Sequence, residues 1–209
     1  MALAVNSVSL YCERLGPGLL AEPLNALSNL AFLWVAVLAW RQAGAYREQR
    51  LLAALLAAIG LGSLLFHLFA TPLAQLCDVL PIALFQLTYL YLYLRRVARL
   101  TPALSGGWLL IYLVALAAAS QTPAVLNGSL AYAPAALALL MLGMVHFRLR
   151  GRLDMLGAAL LFLVSLSART VDLMVCGRWP FGSHFLWHLF NAAMLYGLLR
   201  AYRRATRED

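Results

Sequence analysis

Two short stretches set the chemical question: SHFLWH, with His184 and His188 four apart, and SLLFH, with Ser63 and His67 four apart. Four residues is about one helical turn, so each pair projects from one face with Cβ atoms roughly 6 Å apart. The histidine pair suits one metal ion, though histidines are also common where apolar segments meet water. If the two faces meet, three imidazoles converge beside a hydroxyl. Three neutral histidines at about 2.0–2.1 Å from Zn²⁺ leave the fourth tetrahedral position to water, the arrangement of a catalytic and not a structural site. Such a water loses its proton near neutral pH and attacks a carbonyl that the metal polarises. Asp78 would orient the water, take its proton or hold a ligand ring. Ser63 would donate a hydrogen bond to the developing oxyanion.

The elements that must position these groups are membrane helices. The 209 residues are 64% hydrophobic and 11% charged, against the roughly 25% charged of a soluble domain. Apolar runs at 24–40, 51–70, 79–94, 106–120, 130–147, 153–176 and 184–199 predict an all-α polytopic protein with seven transmembrane helices. The fourth run is short and bracketed by Pro102 and Pro123, but charge parity requires it. The formal charge is +8 and all sixteen basic residues are arginine. They gather after alternate spans: Arg41, Arg47 and Arg50; Arg95, Arg96 and Arg99; Arg148, Arg150 and Arg152; and Arg200, Arg203, Arg204 and Arg207. This positive-inside pattern records topology and not a nucleic-acid partner, and it puts the N-terminus outside and the C-terminus inside. Residues 1–22 lack the regions of a signal peptide and are expected to be an extramembrane segment. Residues 200–209 form a cytoplasmic tail, and no repeat, linker or second domain interrupts 1–209. The absence of lysine suggests a GC-rich bacterial source, hence an inner membrane with the polar cluster toward the periplasm.

Depth singles out the polar residues, because ionisable groups within spans are rare and usually mark a pathway, a site or a structural pair. Ser63, His67, Asp78, Arg169, Asp172, His184 and His188 all fall at the outer ends of their spans. His146 falls among the inner arginines and reads as interfacial, without a metal role. Singly, each has a plainer reading: His67 as a packing residue, Ser63 as a small residue bonding back to its helix, Asp78 as a cap of span three. Arg169 and Asp172, three apart, read as an intramembrane ion pair. Coincidence of depth on four segments favours the joint reading.

GSLLFH at 62–67, Asp78 with Pro81, SHFLWH, YCE at 11–13 and EPLNALSN at 22–29 together resemble the alkaline ceramidase family. That family lies within a superfamily of seven-span hydrolases that also includes the progestin and adipoQ receptors. The resemblance implies a zinc amidase that splits ceramide into a sphingoid base and a fatty acid. It implies His67, His184 and His188 as zinc ligands, Ser63 on the oxyanion side and Asp78 as partner of the water. It also implies a disulfide between Cys12 and Cys176, leaving Cys77 unpaired, in an oxidising compartment. The family's calcium site, an acidic D-W-C-E-x-N segment with a later glutamate, is matched only by Glu13 and Glu22. Leu10, Tyr11 and Leu15 replace its aspartate, tryptophan and asparagine, and Ca²⁺ needs six to eight oxygens, so calcium dependence is not expected.

Three functions stand at this point. The first is hydrolysis of a membrane lipid, ceramide or another N-acyl lipid, at the outer interface. The second is a zinc-containing lipid receptor or sensor without turnover, for which the short tail offers little signalling surface. The third is a haem electron carrier with histidine axial ligands, which the tight three-imidazole cluster argues against. No protein partner is inferable.

Overall fold

The computed structural model describes residues 8–122 and 125–207. Pro123, the first seven residues of the expected N-terminal segment and the last two of the tail therefore lie outside the described residues. Among the described residues the fold is all-helical. Helices α1 (Pro23–Ser28), α2 (Leu30–Ala43), α3 (Arg47–Phe69), α4 (Pro72–Arg96) and α5 (Pro102–Ala119) are followed by a short 3-10 turn at Ser129–Tyr132. Then come α6 (Ala133–Arg150), α7 (Asp154–Val175) and α8 (His184–Arg207). Six stretches are long and apolar enough to cross a membrane: α1 with α2, then α3, α4, α5, the 3-10 turn with α6, and α7. The 24-residue α8 is as long, but four arginines crowd its last turns.

Each long helix packs on its sequence neighbour, and α2 closes on α8, so the helices form a ring, with α1 wedged between α3 and α8 at one end. Outward faces are apolar: Trp34, Leu110, Val114, Leu160 and Met174 are all exposed. α5 buries only Ser105 and Tyr112. Helices apolar all round, with polar groups turned inward, are built for hydrocarbon and not water. The protein is a multi-pass membrane protein.

Several helix boundaries differ from the sequence expectation, α8 among them, which runs on to Arg207 through most of the expected tail, and two have a local reason. The first span is broken at Asn29, because Ser28 Oγ and Asn29 Nδ2 both donate to the Asn25 carbonyl, each at 2.8 Å, in competition with the helical ladder. Span three begins at Pro72 and not near 79. Thr71 caps it by accepting from the Ala74 amide at 3.1 Å, and Pro72 suits the first helical position. Asp78 is therefore not a cap. It lies well inside α4.

Pro81 lies inside α4 and offers no N–H to the Cys77 carbonyl one turn earlier. That carbonyl faces Gly62 of α3 so closely that a Cβ there would lie 2.0 Å from the oxygen. The missing amide and the missing side chain together let α3 and α4 touch, which sets Ser63 beside Asp78. Gly62→Ala is accordingly expected to force the helices apart at a cost of about 1–3 kcal/mol. Thermal unfolding of the purified protein in detergent measures this, and an unchanged midpoint would refute the contact.

Candidate metal centre

His67 stands in the last turn of α3, while His184 and His188 occupy the first turns of α8. All three are buried, and one ring nitrogen from each lies within 4.8 Å of the others. The partners of the outer nitrogens decide what the inner ones offer. His67 Nδ1 lies 2.5 Å from Glu22 Oε2. A carboxylate oxygen accepts, so Nδ1 carries a proton, and in the neutral ring Nε2 keeps its lone pair. Ser28 Oγ lies 2.7 Å from His188 Nδ1, and its own hydrogen goes to the Asn25 carbonyl. It must therefore accept from Nδ1–H, which again leaves Nε2 bare.

These two Nε2 atoms face each other at 3.2 Å. With both rings neutral, two lone pairs at that distance repel, and a cation between them removes the conflict. Two ligands about 2.0–2.1 Å from a tetrahedral ion lie roughly 3.3–3.4 Å apart, close to the observed spacing. The third ring, His184, has a buried Nδ1 with no hydrogen-bond partner. Tyr11 stacks on this ring, centroid to centroid 3.5 Å. The residues present thus fit the metal that three neutral imidazoles imply.

The flanking groups are arranged in a shell around these rings. Ser63, one turn before His67, is buried and lies beside the half-buried Asp78 carboxyl across the α3–α4 contact. Asp172 accepts from the amides of Cys12 at 2.9 Å, Ser183 at 2.7 Å and His184 at 2.9 Å, fixing the N-terminus of α8 and the chain before α1 together. Gly182, with φ of 66°, makes room for this; a Cβ would lie 2.2 Å from Asp172 Oδ1 and 2.6 Å from Cys12 Cβ. Cys12 and Cys176 form a disulfide, and Cys77 is free.

The expected Arg169–Asp172 ion pair is corrected: the two side chains take different partners. Asp172 is occupied by three backbone amides, two of them at the N-terminus of α8 and the third that of Cys12. Arg169 Nη1 donates to the Asn127 carbonyl at 3.0 Å, and its guanidinium lies 5.4–5.8 Å from the ring centroids of Tyr11, Tyr132 and Trp187. His146 is also corrected. It is buried and not exposed, with Nδ1 3.0 Å from Tyr93 Oη and Nε2 3.0 Å from Asp154, and so is a packed polar link between helices at the end where the arginines gather.

Glu13 and Glu22 do not fit a calcium ion. Glu13 gives its two oxygens to the amides of Leu24 at 2.7 Å and Asn25 at 2.9 Å. Glu22 gives Oε1 to Arg14 Nε, and Oε2 to His67 and to Asn25 Nδ2 at 3.0 Å. Leu10 and Leu15 are exposed and bring no oxygen. Burial pushes the Glu13 carboxyl up, partly opposed by its two amides. Burial would raise Glu22 as well, but hydrogen bonds from His67, Arg14 and Asn25 hold it below the ordinary value.

Sequence reasoning missed Ser28, Tyr11 and Arg14 as parts of this site. Arg14 did carry a signal, because with Arg169 and Arg178 it falls outside the alternate basic clusters. Ser28 carried none, since its hydroxyl matters only through a ring 160 residues away.

An all-helical membrane protein with a buried three-histidine cluster is the class these features define. The family profile described as Ceramidase matches residues 11–208, nearly the whole chain, and the protein belongs to that family. No curated protein matches it closely enough to count as a relative.

Ser28→Ala removes the acceptor that holds His188 Nδ1–H. It is expected to weaken zinc binding about 10- to 100-fold, as losses of a ligand's outer partner do, while leaving the helical content intact. Competition against a coloured zinc chelator, with circular dichroism alongside, reads both quantities.

Proposed function

We propose that the protein is a zinc-dependent intramembrane amidase that hydrolyses ceramide or a related N-acyl lipid to a free amine and a fatty acid. The observation that carries this reading is the three-histidine cluster in which the Nε2 atoms of His67 and His188 lie 3.2 Å apart, each ring with a hydrogen-bond partner on its far side. His67, His184 and His188 would hold the ion. Zinc bound there would polarise an amide carbonyl and make water acidic enough to attack it near neutral pH.

The chain's own groups supply the rest. The Asp78 carboxylate takes the proton from the attacking water and returns it to the amine nitrogen as the C–N bond breaks. The Ser63 hydroxyl, in contact with Asp78 in the resting arrangement, turns to donate to the amide oxygen as that oxygen gains charge. Below the histidines, the ring of helices encloses a mainly apolar cavity whose walls include Phe32, Ile59, Phe85, Phe162, Trp187 and Leu198. Ile59 lies one turn from Ser63, so an acyl tail can enter this space while its amide stays level with the histidines. We read α8 as the seventh span, the arginine clusters as facing the cytoplasm, and the histidines as lying near the periplasmic face of a bacterial inner membrane. The whole chain acts as one catalytic unit in this reading.

Purified, zinc-loaded protein incubated with ceramide and other N-acyl lipids should release fatty acid, detected by mass spectrometry. His188→Ala should abolish release. Asp78→Asn should slow it about 10²- to 10⁴-fold and Ser63→Ala about 10²- to 10³-fold. No metal-dependent release from any N-acyl lipid would overturn the proposal. Filling the cavity with Leu139→Trp is expected to lower turnover of long-chain amides more than of short-chain ones; an equal effect on both would remove the cavity from the reading.

A further inference from the structure

Arg14 is buried against the metal centre yet takes no part in the reaction above. Its side chain is 2% exposed. Nε donates to Glu22 Oε1, and Nη2 donates to the main-chain carbonyl of His67 at 2.8 Å. That carbonyl lies in the last turn of α3, which ends at Phe69, where helix carbonyls run out of amide partners and a basic side chain can serve them. The other Glu22 oxygen holds Nδ1 of the same residue at 2.5 Å. One guanidinium and one carboxylate therefore grip His67 at both its backbone and its ring.

The pairing answers an electrostatic requirement. A carboxylate as buried as Glu22 is costly unless a cation is paired with it and its oxygens are hydrogen-bonded. A divalent ion could meet the need, but the oxygens for one are absent, since residues 10 and 15 are exposed leucines and Glu13 is committed to two amides. The guanidinium already lies against Glu22.

We infer that Arg14 is a positioning residue for His67, a cation built into the chain that takes the place of a second metal ion. It holds Glu22 against Nδ1 so that Nε2 stays turned toward His188. The inference rests on His67 being a metal ligand, as proposed above. It also assigns this protein a metal centre indifferent to calcium, because the charge that calcium would bring cannot leave.

Zinc affinity of the full-length protein in detergent tests this, measured by chelator competition in decalcified buffer with and without millimolar calcium. Folding is followed by size exclusion and circular dichroism. Wild type should bind about one zinc per chain with the same affinity in both buffers. Arg14→Gln keeps amide donors but not the charge, and Arg14→Ala keeps neither; both should bind zinc about 10- to 100-fold more weakly. Arg14→Lys, a point charge without the fork, should fall between them and wild type. A folded Arg14→Gln with wild-type zinc affinity would overturn the inference even if Arg14→Ala failed to fold. So would a wild-type affinity that rises several-fold on adding calcium. Wild type that binds no zinc at all would defeat the metal centre itself, and this inference with it.

Discussion

Two imidazole nitrogens, Nε2 of His67 and Nε2 of His188, are held 3.2 Å apart in the interior of a membrane protein, and with both rings neutral neither carries a proton. Without a cation such an arrangement opposes itself, and much of the surrounding structure exists to impose it. Glu22 and Ser28 load the protons onto the far side of the two rings, and Asn25 in turn occupies the hydrogen of Ser28. Three polar groups at the start of one span thereby favour the tautomers of rings on two others. The break at Asn29 belongs to the same network, because the Asn25 carbonyl that attracts Ser28 and Asn29 is drawn out of the regular helical ladder.

The third ring depends on the chain before α1. Tyr11 stacks on His184, the neighbouring Cys12 is bonded to Cys176, and its amide shares Asp172 with the first amides of α8. The extramembrane segment is thus structural for the site. Gly182 is required by space as much as by its positive φ, since the Asp172 carboxylate and Cys12 fill the volume where a side chain would go. Arg14 closes the segment onto α3 from the other side. The three buried contacts explain how a short polar stretch stays ordered at the end of a bundle whose helices are otherwise held by apolar packing.

The close approach of α3 and α4 rests on two absences, the amide of Pro81 and the side chain of Gly62. Each is unfavourable in an isolated helix. Together they allow a carbonyl and a backbone to touch, and the contact sets Ser63 and Asp78 within hydrogen-bonding reach. A membrane helix tolerates such a proline where the freed carbonyl lies inside protein and away from lipid.

Much of this was legible in the sequence, for physical reasons that can be named. Hydrocarbon admits only backbone that satisfies its own hydrogen bonds, so long apolar runs had to be helices; the i, i+4 pairs Ser63–His67 and His184–His188 then had to share faces. The resemblance to alkaline ceramidases pointed to His67, His184 and His188 as one group. What the chain could not disclose alone were relations between distant segments. That Glu22 serves an imidazole, that Asp172 prefers three amides to Arg169, and that Arg14 stands against Glu22 are outcomes of a competition for partners that exist only once the ring of helices has closed. Periodicity assigns a residue to a face and a depth, whereas a buried polar group takes whichever partner lies nearest in three dimensions, and that choice belongs to the tertiary structure.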